Sequence, residues 1–534
     1  MKTKYLKILS ASVIAATVAI TSCIKDLDTI PKDPDVVTSA TVYKDATAYK
    51  QVLAKCYIGL AVSGQKGPDG LPDISGIDEG FSQYLRQFWF AQELTTDEAV
   101  IAWNDGTLKN YHEQNWTPSG EFITAMYNRL YYQISLCNEF IRESSDSKLD
   151  ERGITGNDKT EVQTYRAEAR FLRALSYYHA VDMFGNVPFV TENDAVGSFF
   201  PQQISRSDLF NYIESELLAI QDQMIAPKSV YGRADQAAAW MLLGRLYINA
   251  EVYTGTPKYT ECITYIKKVI ALAPGTYSLT TNYSHLFLAD NNTSNEIIFA
   301  VAFDGVNTKT WGGTTFIVNA AVGGSMKPAD FGISGGWSGT RTTSAFVGKF
   351  PDPSGGTDTR AMFHTDGQNL EITDIFAFTD GYAITKWKNK TSTGAAGSNG
   401  THPDTDFPIF RLADAYLMFA EAVKRGGTGG TLGEALTYIN LVRERAYGDN
   451  SGDLTSTADI TLDFIIDERA REFYWEAQRR TDLVRFGMFS ESSYVWPWKG
   501  GVAGGISTDN HYDLFPIPAS DRGANPNLQQ NDEY

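Results

Sequence analysis

Few side chains in this 534-residue chain stand at spacings that could do chemistry, and the clearest is the acidic pair of Asp404-Thr405-Asp406. Side chains two apart in an extended segment share a face, so both carboxylates could meet a hard cation such as calcium. Asp290-Asn291-Asn292 would be a second arm of oxygen ligands. The plain alternative is an acidic turn capping the helix that follows Pro408. Six histidines (His112, His179, His285, His364, His402, His511) are scattered without HExxH-type spacing, which argues against a zinc centre. Gly332-Ile333-Ser334-Gly335-Gly336 fits the G-x-S-x-G pattern of a hydrolase nucleophile, but such a serine needs a strand leading in. Its Gly-rich flanks supply none, so the match reads as chance. Asp78-Glu79 and Asp97-Glu98 have the composition of a glycosidase pair. With 64 acidic residues in the chain such neighbours arise by accident, and the bland reading is a solvated loop or acceptors for a polar ligand.

Cys23 carries a different chemistry. Lys2, Lys4 and Lys7 precede an apolar run from Ile8 to Ile20, and Thr21-Ser22-Cys23 closes it. The run is too short to span a bilayer comfortably, and small residues before the cysteine let a signal peptidase approach the backbone. Residues 1–22 therefore read as a lipoprotein signal peptide, Cys23 as the acylated residue, and 23–37, with Pro31 and Pro34, as a lipid-anchored tether to a membrane. Removing residues 1–22 leaves 512 and takes the formal charge from −18 to −21, because three lysines leave. That balance opposes nucleic acid and polyanionic glycans and suits a neutral ligand. Cys56, Cys137 and Cys262 each lie in an apolar helical pattern, odd in number and widely spaced, which predicts buried free thiols.

The elements that must position these residues are mostly helical. Val162, Tyr165, Ala169, Leu172, Leu175, Tyr178, Val181 and Phe184 recur at spacings of three and four, and Gly185 with Pro188 supplies a stop, predicting a helix over 161–184. Helices are also expected over 234–252 and 259–272, and over 409–423 and 433–446, the last two separated by Gly426-Gly427. That final pair is about one tetratricopeptide unit long, and small Ala420 and Ala422 suit close antiparallel packing. Between 276 and 408, Gly, Ser, Thr and Asn are dense and one strand, Glu296-Ala302, stands out. A similar loop-rich stretch covers 63–120 and holds Trp89, Trp103 and Trp116. The expected class is mostly α: a tetratricopeptide-like helix-pair scaffold over 38–534, with a loop-rich insert and short strands that carry binding chemistry.

Several ordered segments together resemble the SusD/RagB family. They are Ala167-Glu168-Ala169-Arg170-Phe171-Leu172-Arg173-Ala174 leading to Phe184-Gly185-Asn186-Val187-Pro188, Gly232-Arg233-Ala234, Arg411-Leu412-Ala413-Asp414-Ala415-Tyr416-Leu417 with Ala420-Glu421-Ala422, Glu468-Arg469 with Glu472-Phe473, Arg480-Thr481-Asp482-Leu483-Val484-Arg485, and Phe515-Pro516-Ile517-Pro518. The resemblance implies a cell-surface lipoprotein, not an enzyme, that binds nutrient glycan and caps a TonB-dependent (SusC-like) outer-membrane transporter; Lys25-Asp26-Leu27-Asp28 looks like the surface-export signal of such lipoproteins. It is nearest to the family's starch-binding member, through Asp78-Glu79-Gly80, Thr96-Asp97-Glu98, Lys386-Trp387 and Trp498-Lys499-Gly500-Gly501 among others. Carried over by position, the starch-contacting aromatics fall on Trp103, Trp311 and Trp337, polar contacts on Asp78 and Arg86, and a structural calcium on Asp404, Asp406 and Asn292. Trp311 precedes Gly312-Gly313 and Trp337 follows Gly335-Gly336, small neighbours that would leave ring faces open. Ile101 stands where that member has another tryptophan, and Gly106 where it has an asparagine. The expected ligand is an α-1,4-glucan such as starch or maltooligosaccharide. The alternatives are another neutral glycan on the same fold and a glycoside hydrolase.

Overall fold

Capping side chains start the helices where the sequence offers them. In the computed structural model, which describes residues 42–197 and 199–534, the Asp45 carboxylate accepts the Ala48 amide at 2.9 Å and opens α1 (Ala46–Ile58). Cys23, the signal segment and the tether lie outside the described residues. The principal helices that follow are α2 (Tyr84–Trp89), α3 (Glu121–Glu143), α4 (Gly156–Met183), α5 (Arg206–Ile220), α6 (Gln236–Ile248), α7 (Tyr259–Ile270), α8 (Gly313–Ala320), α9 (Leu412–Lys424), α10 (Leu432–Tyr447), α11 (Leu462–Phe473) and α12 (Arg479–Arg485). Helix α10 has a capping box, in which Thr431 and Glu434 satisfy each other's backbone amides.

Packing follows chain order, as in stacked helix pairs: α3 on α4, α4 on α5, α6 on α7, α9 on α10, with α7 bridging to α9. Gly244 of α6 shows how close the approach is, because a Cβ there would collide with Cδ1 of Ile266 on α7. Ala420 and Ala422 are fully buried on α9. The expected helix-pair scaffold is present, and the helix predicted over 161–184 is α4, stopped at Gly185 with φ 69°. Among the described residues no helix is long and apolar enough to cross a membrane. Cys56, Cys137 and Cys262 are buried free thiols.

The strands are short and antiparallel: β1 (Val100–Ile101) pairs with β3 (Thr340–Arg341), and β2 (Ile297–Val301) with β4 (Phe407–Arg411). Strand β2 is the one read in the sequence. Residues 409–411, expected to begin a helix, belong instead to β4, and α9 starts at Leu412. Pro408 lacks the amide a helix interior requires, and Phe407–Arg411 is buried throughout, so neither period showed.

Two further helices lie in stretches expected to be loops. Helix α2 runs on through a wider π-type turn, Phe90–Leu94, and every residue from Tyr84 to Leu94 is buried. Its polar members Arg86, Gln87, Gln92 and Glu93 are as enclosed as its aromatics, so the sequence has no polar face to reveal a helical period. Helix α8 is likewise buried along its length.

Candidate functional site

The β1–β3 ladder and the end of α8 bring the predicted tryptophans together. Val100 pairs with Arg341 and Ile101 with Thr340, and the Ala102 amide then donates to the Gly339 carbonyl at 2.8 Å. Residues 337–339 lie along the C-terminal turn of α8: the Trp337 amide reaches the Asn319 carbonyl and the Gly339 amide the Ala320 carbonyl, both at 2.8 Å. Trp103 Nε1 donates to the Trp337 carbonyl at 3.3 Å. Gly339 permits this contact, since a Cβ would stand 2.7 Å from Trp103 Cζ2. Trp311 enters from the N-terminal side of α8.

The resulting array has Trp337 in the middle. Its ring centroid lies 6.3 Å from that of Trp103, with planes at 42°, and 6.1 Å from that of Trp311, at 52°. All three rings are half-buried, and neither pair is parallel, so the array turns from ring to ring and does not form a flat strip.

Arg86 supports the array from beneath. It is 4% exposed, its Nη1 donates to the carbonyls of Gly80 at 2.9 Å and Trp311 at 3.2 Å, and its guanidinium carbon lies 4.1 Å from the Phe81 ring centroid and 4.6 Å from that of Phe316. Burial pulls its pKa down to about 9, which leaves it charged at neutral pH. Among the described residues no carboxylate pairs with it directly, and Nε has no hydrogen-bond partner. Asp78 is exposed and its Oδ1 accepts the Gly80 amide at 2.8 Å. A Cβ on Gly80 would stand 2.9 Å from Cβ of Trp311 and 3.2 Å from Oδ1 of Asp78, so this glycine lets Asp78, Arg86 and Trp311 converge. The structure brings the five predicted residues together, but Arg86, expected as a polar contact for the sugar, is enclosed beneath the rings and bonded to backbone carbonyls.

Sequence reasoning missed two of its members. Phe316 of α8 meets Trp103 edge to face at 5.9 Å, and the His402 ring lies 4.9 Å from the Trp311 ring. No local pattern signals either contact, because both depend on long-range closure. Ile101 is fully buried in the ladder, and Gly106 is exposed with φ 42°.

The Asp404–Asp406 pair is organised by protein donors. Asp404 accepts the Gly305 amide at 2.8 Å and the Ser398 amide and hydroxyl at 2.6 Å each, and Asp406 accepts the Phe303 amide at 2.8 Å and the Tyr231 hydroxyl. All four carboxylate oxygens are thereby engaged by protein donors, two on Asp404 Oδ1 and one on each of the others, which leaves those three with acceptor capacity for a cation. Burial raises Asp406 to about 6. Asn292 is exposed; the neighbouring Asn291 holds this segment, exchanging hydrogen bonds with the Asp406 backbone at 2.8 and 3.1 Å. Among the described residues no group of three or more His, Cys, Asp or Glu side chains is disposed to hold a metal.

The remaining catalytic candidates have other roles. Asp97 is fully buried and accepts Arg479 at 2.8 and 2.9 Å, while Glu98 beside it is equally enclosed, so neither can reach a glycosidic bond at the surface. Glu79 accepts the Ser63 hydroxyl and is pushed up to about 7 by burial. Ser334 follows the short 3₁₀ turn Pro328–Phe331, with no strand before it, and its amide bonds to the Gly400 carbonyl at 2.7 Å.

Comparison with known proteins adds an independent line. Residues 373–534 match the family profile described as "SusD family", and residues 78–248 match one described as "Starch-binding associating with outer membrane". The starch-binding protein SusD of Bacteroides thetaiotaomicron is 38% identical, over 100% of each chain. Among solved structures, a SusD superfamily protein from Bacteroides vulgatus superposes with a TM-score of 0.71 at 18% identity, covering 92% of this chain and 100% of the other. Surface glycan-binding protein A from Bacteroides thetaiotaomicron, in complex with laminarihexaose, does so with a TM-score of 0.67 at 21% identity, covering 91% and 99%. At these identities the two structures testify to the fold. The end-to-end identity with SusD, joined to the shared helix-pair scaffold, shows that the chain belongs to the SusD family.

Proposed function

We propose that this chain is a non-catalytic surface receptor for an α-1,4-glucan such as starch or maltooligosaccharide. The observation that carries the reading is the tilted array of Trp103, Trp337 and Trp311, with successive planes turned by 42° and 52°. Sugar rings present apolar C–H faces that stack on aromatic rings, and hydroxyl rims that need a few polar groups such as Asp78. An array that turns suits the helical course of amylose better than a flat β-1,4 chain. The name of the 38%-identical relative, a starch-binding protein, supports the same ligand class. Asp97 and Glu98 are fully buried, and of the Asp78-Glu79 pair beside the rings only Asp78 is exposed, Glu79 being enclosed on the Ser63 hydroxyl, which supports binding without hydrolysis.

Calorimetric titration with maltoheptaose, with laminarihexaose as the β-linked control, tests the ligand. Preferential binding of maltoheptaose is the expected result, and binding of the β-glucan alone overturns it. Release of reducing ends from starch by the purified protein would instead favour the hydrolase.

Delivery of the glycan to a TonB-dependent outer-membrane transporter and anchorage through acylated Cys23 complete the proposal, supported by the family and by the sequence around Cys23. Co-purification of such a barrel in mild detergent tests the first, and loss of membrane attachment in Cys23→Ala the second. A structural calcium at Asp404 and Asp406 is the remaining part. An ion that binds only the folded state at one hundred times its Kd raises stability by about 2.7 kcal/mol. A melting temperature indifferent to calcium and to chelator, in the wild type as in Asp404→Ala/Asp406→Ala, refutes it.

A further inference from the structure

We propose that His402 is a further ligand-contacting residue of the tryptophan site, offering Nε2 as a hydrogen-bond acceptor to a hydroxyl of the sugar seated on Trp311; this rests on the glucan-binding reading above. The two ring centroids lie 4.9 Å apart with planes at 52°, so His402 borders the outer end of the array. Nδ1 lies 3.1 Å from the Thr310 carbonyl oxygen. A carbonyl only accepts, so Nδ1 carries the hydrogen, and in the neutral ring Nε2 is left with a lone pair facing outward from that bond.

Among the described residues nothing uses that lone pair. Nδ1 is the only His402 ring atom with a hydrogen-bond partner among the described residues, and Nε2 is not among the side-chain atoms sealed from solvent without one, as both ring nitrogens of His112 are. The residue as a whole is only 7% exposed, so its small opening to solvent includes the acceptor. The ring is also fixed in place: Asn399 Oδ1 accepts the amides of Thr401 at 2.8 Å and His402 at 3.1 Å, and the Gly305 backbone closes over the His402 carbonyl. An acceptor held this way has its orientation set before the ligand arrives, which lowers the entropy lost on binding.

The chemistry complements what the rings lack. Stacking on tryptophan holds a sugar without fixing which hydroxyl points where. Asp78 offers an acceptor on the Gly80 side of Trp311, and His402 would offer one on the Thr310 side, so a glucose unit on Trp311 would be read by acceptors from two directions. Donor-rich hydroxyl edges fit this arrangement, and a sugar methylated or acetylated at that edge does not.

Replacing His402 with phenylalanine keeps a ring against Trp311 and removes the acceptor. Maltoheptaose affinity per folded molecule should fall about fivefold to tenfold, the worth of one hydrogen bond, with the melting temperature lowered only by the lost Nδ1 bond to the Thr310 carbonyl. His402→Gln, which restores an acceptor, should recover most of the loss. A direct measurement needs no substitution: in protein labelled with ¹⁵N-histidine, the His402 Nε2 resonance should move from its acceptor position when maltoheptaose is added. Wild-type affinity in His402→Phe and an unmoved Nε2 resonance, in a protein whose Trp337→Ala variant no longer binds, overturn the assignment of His402 alone. Absence of maltoheptaose binding by the wild-type protein overturns the glucan reading and this inference with it.

Discussion

Two regions of this molecule spend their side chains in opposite ways. Around α11 and β4 lies a buried ionic cluster: Arg411 reaches Glu296 at 2.9 Å and Glu476 at 2.7 Å, Arg360 reaches Glu468 and Asp358 at 2.7 Å each, and Glu472 is shared by Arg360, Arg411 and Arg445. Each of these side chains is at most 3% exposed. At the other region three half-buried tryptophans meet with one hydrogen bond between them. A buried charge tolerates no missing partner, so its neighbours are dictated in type and position. A stacking platform asks only for ring faces at suitable angles. Much of what identifies the family therefore lies where no ligand goes, and what would meet a ligand is sparse and scattered.

Breaking the ionic cluster should have the largest effect and should leave the platform intact. In Glu472→Ala, three arginines lose a shared carboxylate, and the cost of leaving buried charge uncompensated is about 3–5 kcal/mol, readable from urea unfolding. Maltoheptaose affinity per folded molecule should not change. The pH dependence has a defined sign. Burial alone would raise the Glu472 pKa, but Arg445, Arg411 and Arg360 outweigh it and hold it down to about 2. A depressed carboxylate stabilises the fold fully above its ordinary value near 4.5 and loses that contribution as pH falls toward 2. Acid destabilisation over that interval should be shallower in Glu472→Ala than in the wild type. An equal slope would mean that the cluster titrates through other members.

Trp337→Ala should do the reverse. Trp337 is the central ring, and losing it should cost about 2 kcal/mol or more of binding, measured by calorimetry with maltoheptaose. The melting temperature should move little, because the backbone carbonyl that receives Trp103 Nε1 remains. A large fall in stability with unchanged affinity would place Trp337 in the core and move the ligand elsewhere.

The contrast also explains what was legible in the sequence. Helix α4 was, because its first half meets solvent on one face and the core on the other, its apolar spacing continues through the fully enclosed Phe171–Met183, and Gly185 marks its end. Helix α2 was not, because Arg86, Gln92 and Glu93 are buried with the aromatics they separate, so polarity carried no information about exposure. Trp103, Trp311 and Trp337 were reached only through resemblance, since a ladder of two residues per strand and the end of α8 bring them together. Asp404-Thr405-Asp406 was visible as a pair sharing one side: both residues face the segment Phe303–Gly305 and accept its amides. The sequence could not say that donors from four other residues already meet those oxygens. His402 left no trace, because its neighbours are fixed by closure of distant loops around Trp311.

The smallest effect sharpens the platform's edge. Gly106 lies three residues after Trp103, is exposed, and has φ 42°, a left-handed conformation that asparagine accepts more readily than other side chains. A Cβ at this position would meet the carboxylate of Glu121, whose Oε1 accepts the Thr107 amide at a long 3.4 Å. That carboxylate is the mobile end of an exposed side chain, so the collision is relieved by a change of rotamer. Gly106→Asn should therefore fold normally and add an amide to the rim beside Trp103, where the family's starch-binding member has one. The expected gain is about 1 kcal/mol of maltoheptaose binding at most, the net worth of one hydrogen bond to a neutral ligand. The gain should vanish when Trp103 is also replaced by alanine, because a rim contact helps only a sugar already held by the ring. A gain that persists without Trp103 would put the ligand's path along the 104–107 loop itself, and no gain in either background would end the binding surface at Trp103.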